Sequence, residues 1–214
     1  MKKTAIITGA SRGIGKAIAE ALAKEGYHLA LFCHKNKEML NALAAELSSD
    51  YHVQVYTYCG DIADSSFTIA SCEDAIAKLG QVDVLVNNAG KASIGLLTDM
   101  SVEDWDSMIG TNLSPLFYTS KVIVPSMVSK KSGNIINISS MWGTVGASCE
   151  VAYSATKGGV NSFTKALAKE LAPNGIAVNA IACGVVDTDM NSQLSPEEKS
   201  ALADEIPAGK FCSP

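Results

Sequence analysis

No run of apolar residues in this chain approaches the roughly 20 needed to span a bilayer as a helix, so a membrane partner is not expected. The six cysteines, at positions 33, 59, 72, 149, 183 and 212, never fall in C-x-x-C spacing. The histidines at 28, 34 and 52 do not complete a ligand set with them, so no metal site is expected. The cysteines read as small, reduced, mostly buried residues of a cytoplasmic protein. Positive charge is scarce: 17 Lys and Arg against 22 Asp and Glu give a net charge of −5. That balance argues against a broad nucleic-acid surface. The opening MKKTAIITGASRG begins like a leader, but its apolar run is short and breaks into Gly, Ser and Arg, so a secretory signal is not expected.

What is present is ordinary globular composition, 47% hydrophobic and 18% charged over 214 residues, which fits one domain, 1–214, with a sizeable core. Short β-type runs alternate with helical patterns. Strands are expected at Ala5–Ile7, Tyr27–Cys33, Val53–Cys59, Val82–Val86, Asn134–Ile138 and Ile176–Ile181. Several are apolar almost throughout, as parallel strands covered on both faces require. Helices are expected over 13–25, 37–48, 65–79, 101–130 and 152–172, with a short one after Ser195-Pro196-Glu197. The alternation predicts an α/β fold: one doubly wound parallel sheet with helices on both faces.

Three groups of residues carry chemistry. Thr8-Gly9-Ala10-Ser11-Arg12-Gly13-Ile14-Gly15 follows the first strand and opens the first helix. There Gly9 can turn off the strand, Gly13 can admit a pyrophosphate and Gly15 can let the helix pack close, while the helix N-terminus faces the phosphates. The second strand ends Cys33-His34-Lys35-Asn36 without the carboxylate that holds the ribose hydroxyls of NAD. Arg12 and Lys35 could instead neutralise a 2′-phosphate, which favours NADP(H); the alternative is that both are solvated surface charges.

Tyr153 and Lys157 lie four apart, on one face of a helix. A phenol of pKa about 10 is a poor acid at neutral pH, and an ammonium at about 4 Å can supply roughly the 4 kcal/mol that poises it near 7. Ser140 follows the fifth strand, Asn88 closes the fourth and Asn112 lies in the long helix. Strand C-terminal ends form the ligand crevice of such a sheet, so these residues are expected in one cleft.

Taken together, TGASRGIG at 8–15, NNAG at 87–90, Asn112, Ser140 with Tyr153 and Lys157, and VNAIACGVVDTDM at 178–190 resemble the short-chain dehydrogenase/reductase superfamily along almost the whole chain. Within it the chain looks most like bacterial 3-oxoacyl-acyl-carrier-protein and acetoacetyl-CoA reductases. The resemblance implies a Rossmann-type oxidoreductase with a substrate loop at about 184–210. Tyr153 would be the general acid, and Lys157 would tune it and hold the ribose. Ser140 would polarise the carbonyl, and Asn112 would support a proton relay. It implies NADP(H) contacts from Gly9, Ser11, Arg12, Gly13, Ile14, Gly15, Lys35, Asp61, Ile62, Asn88, Ala89, Gly90, Tyr153, Lys157, Gly184, Val186 and Thr188. It also implies a homo-oligomer, dimer or tetramer, and a thioester or other small-molecule substrate, with an acyl-carrier protein as a partner. Lys130-Lys131 fits a basic docking patch for that carrier, or equally a pair of solvated charges at a helix end.

Departures from the family pattern are Cys183-Gly184 where Pro-Gly is usual, Lys91-Ala92-Ser93-Ile94 after NNAG, and a neutral Asn174. The family also usually adds a helix and seventh strand beyond this length, so the sixth strand is expected at an exposed edge. The alternatives to a thioester reductase are an enzyme of another small ketone, sugar or alcohol, and a nucleotide-binding, catalytically weak subunit.

Overall fold

The structure, a computed structural model, describes residues 2–191 and 195–214. Ser192, Gln193 and Leu194, part of the expected substrate loop, lie outside the described residues. Six strands form one parallel sheet: β1 (Thr4–Ile7), β2 (His28–Cys33), β3 (Val55–Cys59), β4 (Val84–Asn87), β5 (Gly133–Ser140) and β6 (Ile176–Cys183). Their spatial order is β3-β2-β1-β4-β5-β6, so the chain reverses direction across the sheet between β1 and β4. That reversal opens a crevice at the strand C-termini.

Alternation along the strands feeds two cores. Ala5 and Ile7 of β1 and Val84 and Val86 of β4 face α1 (Gly13–Lys24) and α2 (Lys37–Tyr51), meeting Ala19, Ala23, Leu40 and Leu47. Ile6, Leu85 and Ile135 face the other way, onto α3 (Ser65–Leu79), α5 (Ser114–Lys130) and α7 (Val151–Leu171). All three are fully buried, worth about 2 kcal/mol each. The two-sided burial explains why the central strands read as continuous apolar runs. β6 lies at one edge, as expected, and Ile181 on it is half exposed.

The helix expected over 101–130 is two helices. α4 (Val102–Asn112) stops at Leu113, whose φ and ψ are −120° and −51°, and α5 begins at Ser114. Pro115 is the cause: it has no N–H to offer Thr111, and its ring crowds that carbonyl. Asn112 is thereby left as the last residue of α4. A short α6 (Trp142–Val145), not expected, follows β5. The helix after Ser195 is present as α8 (Pro196–Glu205), with Ser195 and Glu198 forming a reciprocal cap.

Candidate active site

The first turn is built without room for side chains. Gly9 and Gly13 have φ of +67° and +54°, a region favourable to glycine. A Cβ on Gly15 would stand 2.2 Å from the Gly9 carbonyl oxygen and 2.6 Å from Asn88 Nδ2. This close approach delivers the N-terminus of α1 to the end of β1, which is the cradle a dinucleotide pyrophosphate requires. Thr8, which the sequence reading passed over, fastens the turn to NNAG. Its hydroxyl accepts the N–H groups of Asn88 and Ala89 at 2.9 and 3.0 Å, and the Asn88 amide donates to the carbonyls of Thr8 and Gly9, both at 3.0 Å.

Beside this cradle is a cavity of about 460 Å³ lined by Ser11, Arg12, Gly13, Lys16, Thr188 and Asp189, among others. Arg12 pairs there with Asp189 at 3.2 Å, both side chains more than half exposed. Thr188 comes down over Gly13, its Cγ2 being 3.2 Å from where a Gly13 Cβ would stand. Loop 186–191 is tied in place by Asn191, which donates to the Val186 carbonyl at 2.8 Å. Lys35 is exposed after β2 and is not among the described residues lining this cavity. Lys16, one turn past Arg12, does line it; their helical spacing was the available signal. Asp61 is exposed 4.0 Å from His34, while Ile62 is buried.

At the other end of the crevice, β5 delivers Ser140 and α7 delivers Tyr153 and Lys157. The Ser140 hydroxyl accepts the Trp142 N–H at 3.2 Å and stands near enough to the Tyr153 phenol to favour its ionised form. Lys157 is buried, 5% exposed, and donates from Nζ to the Ile138 carbonyl at 2.8 Å. Burial depresses its pKa to about 8, with Cys183 pulling weakly back. Gly90 packs between two polar groups: a Cβ there would meet Asn112 Oδ1 at 3.3 Å and Lys157 Nζ at 3.6 Å. The Asn112 amide closes a two-way bond with the backbone of Lys91, 2.8 Å in each direction. Residues as far apart in sequence as Gly90 and Lys157 thus meet in one cleft.

The expectation that Lys157 lowers the Tyr153 pKa is corrected: the Tyr153 pKa is raised. Burial is the main cause, Ser140 pulls it down, and Glu150 and Cys183 add to the rise. The Lys157 ammonium lies 5.6 Å from the ring centroid and donates to the Ile138 carbonyl, and it is not among the causes of that shift. Cys183, half buried, has its thiol pushed up by burial against the pull of Lys157, which favours the protonated thiol at neutral pH.

Behind the cleft runs a polar chain that the sequence reading missed. Thr119 donates to Asn87 at 2.8 Å, Asn87 to Asn137 at 2.9 Å and Asn137 to Thr164 at 2.9 Å, all four buried. It braces β4 and β5 against α5 and α7, and so ties together β5 and α7, which carry Ser140, Tyr153 and Lys157. The only hint was a polar residue in each of two apolar strands.

A dinucleotide cradle and a Ser–Tyr–Lys cluster at the ends of one parallel sheet define a nicotinamide-dependent oxidoreductase. Residues 3–199 match the family model for short chain dehydrogenases, and the chain belongs to that family. It is 42% identical to the uncharacterized oxidoreductase YmfI of Bacillus subtilis, covering all of this chain and 87% of that protein. It is 41% identical to the 3-oxoacyl-acyl-carrier-protein reductase FabG of Staphylococcus aureus, covering 99% and 85%. Its structure is similar to that of a variant of actinorhodin polyketide ketoreductase with NADPH, at a TM-score of 0.92 and 33% identity over 99% of this chain and 85% of that one.

Proposed function

We propose that this protein uses NADPH to reduce a 3-oxoacyl thioester, carried on coenzyme A or an acyl-carrier protein, to the 3-hydroxyacyl thioester. The observation that carries the reading is the convergence at the end of β5 of Ser140, the strand's last residue, and the buried Lys157, which donates to the Ile138 carbonyl with its ammonium 5.6 Å from the Tyr153 ring centroid. Likeness to FabG supports the substrate class. The Gly9–Gly15 cradle and the Arg12 cavity support a phosphorylated dinucleotide, with Arg12 and Lys16 meeting the 2′-phosphate. The nicotinamide, when bound, supplies the hydride.

Everything else falls to the protein. Two O–H donors, Ser140 and Tyr153, face the carbonyl oxygen and stabilise the charge that develops on it. Tyr153 gives up its proton to that oxygen. The raised pKa of its phenol keeps the proton in place until then. The Lys157 ammonium holds the ribose. Asn112, at the end of α4, fixes Lys91 and positions the relay that returns the proton. We include a homo-oligomer in the proposal, formed through the exposed apolar side chains of α4 and α5, Trp105 and Phe117.

The test is NADPH consumption with acetoacetyl-CoA. Wild type is expected to turn over, and Tyr153→Phe to lose at least about a hundredfold in kcat with NADPH still bound. Turnover surviving in the variant overturns the role of Tyr153. Turnover with another small ketone but not with acetoacetyl-CoA would transfer the reading to that substrate, the departures at 91–94 being its motive.

A further inference from the structure

Two of the six cysteines meet in the sheet. β2 and β3 run parallel with Leu29 opposite Val55, Leu31 opposite Thr57 and Cys33 opposite Cys59. Alternation along the strands puts these three pairs on one face. Leu29, Leu31, Cys33 and Val55 belong to the core beneath α1 and α2, and the Thr57 hydroxyl donates to Asn41 of α2 at 2.8 Å. Both sulfurs therefore project to the same side. Residues in register on neighbouring strands stand about 4.8 Å apart, inside the roughly 4.4–6.8 Å between the Cα atoms of a disulfide. No other described strand pair sets two cysteines opposite each other.

The two thiols differ in access. Cys59 is the last residue of β3, an edge strand, and is exposed. Cys33 is 5% exposed. Burial above all, with the Cys59 sulfur adding to it, pushes the Cys33 thiol up to about 12. A reagent in solution therefore meets Cys59 first. Cys59 Sγ also donates to the His34 carbonyl at 3.3 Å, while the Gly60 N–H donates to the Cys33 carbonyl at 3.0 Å. These bonds tie the end of β3 to the residues that follow β2, where a sheet of this type holds the adenosine ribose.

We propose that Cys33 and Cys59 form a modification site, a dithiol that a small-molecule disulfide of the glutathione type closes to a Cys33–Cys59 disulfide, and that the closure weakens the hold on the adenosine half of the dinucleotide. The second half of the inference rests on the dinucleotide reading above. The Cys59 thiolate attacks one sulfur of the reagent, the reagent's S–S bond breaks and one glutathione thiolate leaves. The Cys33 sulfur then attacks Cys59 Sγ and expels the second glutathione. The protein gives up two electrons and two protons, and the reagent becomes two glutathione thiols. The closed form has no S–H at Cys59, so the His34 carbonyl loses its donor. One neutral hydrogen bond lost from the turn corresponds to about fivefold in nucleotide affinity.

The experiment treats the purified protein with glutathione disulfide, maps its disulfides by mass spectrometry and titrates the reduced and oxidised forms with NADPH. Wild type is expected to lose two free thiols as one Cys33–Cys59 bridge, and its Kd for NADPH to rise about fivefold, reversibly with dithiothreitol. Cys33→Ser is expected to stop at the mixed disulfide on Cys59. Cys59→Ser keeps a donor for His34 but cannot close, so it should bind NADPH like reduced wild type and ignore the reagent. Cys59→Ala should bind about fivefold more weakly from the start. Mixed disulfides alone, or bridges between other cysteines, overturn the site. A bridge that leaves the Kd unchanged overturns the coupling to the nucleotide. If the bridge forms but the reduced protein binds no NADPH, the dinucleotide reading fails and the dithiol stands.

Discussion

Lys157 is expected to weaken the fold it serves. A lysine whose pKa falls from 10.5 in the unfolded chain to about 8 in the native state is held charged at neutral pH against its burial. The drop corresponds to about 3 kcal/mol of lost stability below pH 8. Between pH 8 and 10.5 the unfolded chain keeps the proton and the native state has given it up. The unfolded state then binds more protons, so native stability rises with pH across that window and the penalty vanishes at its top. Replacing Lys157 with Met removes the charge but leaves the Ile138 carbonyl without its 2.8 Å donor, which costs about 1 kcal/mol. The net expectation at pH 7 is a gain of about 2 kcal/mol, or about 4–8 °C in Tm for a chain of this size. Thermal and urea unfolding of both proteins without nucleotide, at pH 7 and at pH 10.5, measures it. At the higher pH the gap should close or reverse. A Lys157→Met protein less stable than wild type at pH 7, or a gap that does not change with pH, would refute the reasoning.

Two further outcomes follow from the cofactor end. Thr8→Val keeps the shape but leaves the Asn88 and Ala89 N–H groups without their acceptor. It should cost about 2–3 kcal/mol in urea unfolding and raise the KM for dinucleotide. Arg12→Ala should weaken NADPH binding about tenfold, with NADH binding little changed. Equal losses for both nucleotides in a titration would remove Arg12 from the 2′-phosphate site.

Much of this was legible because the relevant signals are local. The glycine spacing at 9, 13 and 15 demands a particular turn, and the structure supplies the steric reason for each position. The six apolar runs became the six strands, and in β1, β2 and β4 burial on both faces leaves little choice of residue. The break at Leu113 was equally local, written in Pro115, but a strong helical pattern on both sides outweighed one proline. Other features were not local. The Thr119–Asn87–Asn137–Thr164 chain joins residues 27 to 50 positions apart, and each member alone resembles a cap or turn residue. The direction of the Tyr153 pKa also depended on three dimensions: the i, i+4 spacing put Lys157 on the right face but could not say that its ammonium would turn to the Ile138 carbonyl.

That buried chain of amides and hydroxyls has a consequence for how the sheet assembles. β4 and β5 pair with Asn87 opposite Asn137, preceded by the apolar pairs Leu85–Ile135 and Val86–Ile136. By apolar contact alone, a partner strand shifted along this stretch would look nearly as good during folding. A shift of one residue would set Asn87 against Ile136 or Ile138 and leave both amides buried without partners, a penalty of several kcal/mol. The network thus penalises slipped pairings of β4 and β5 and holds the native alignment, to which α7, the helix that bears Tyr153 and Lys157, is tied through Thr164.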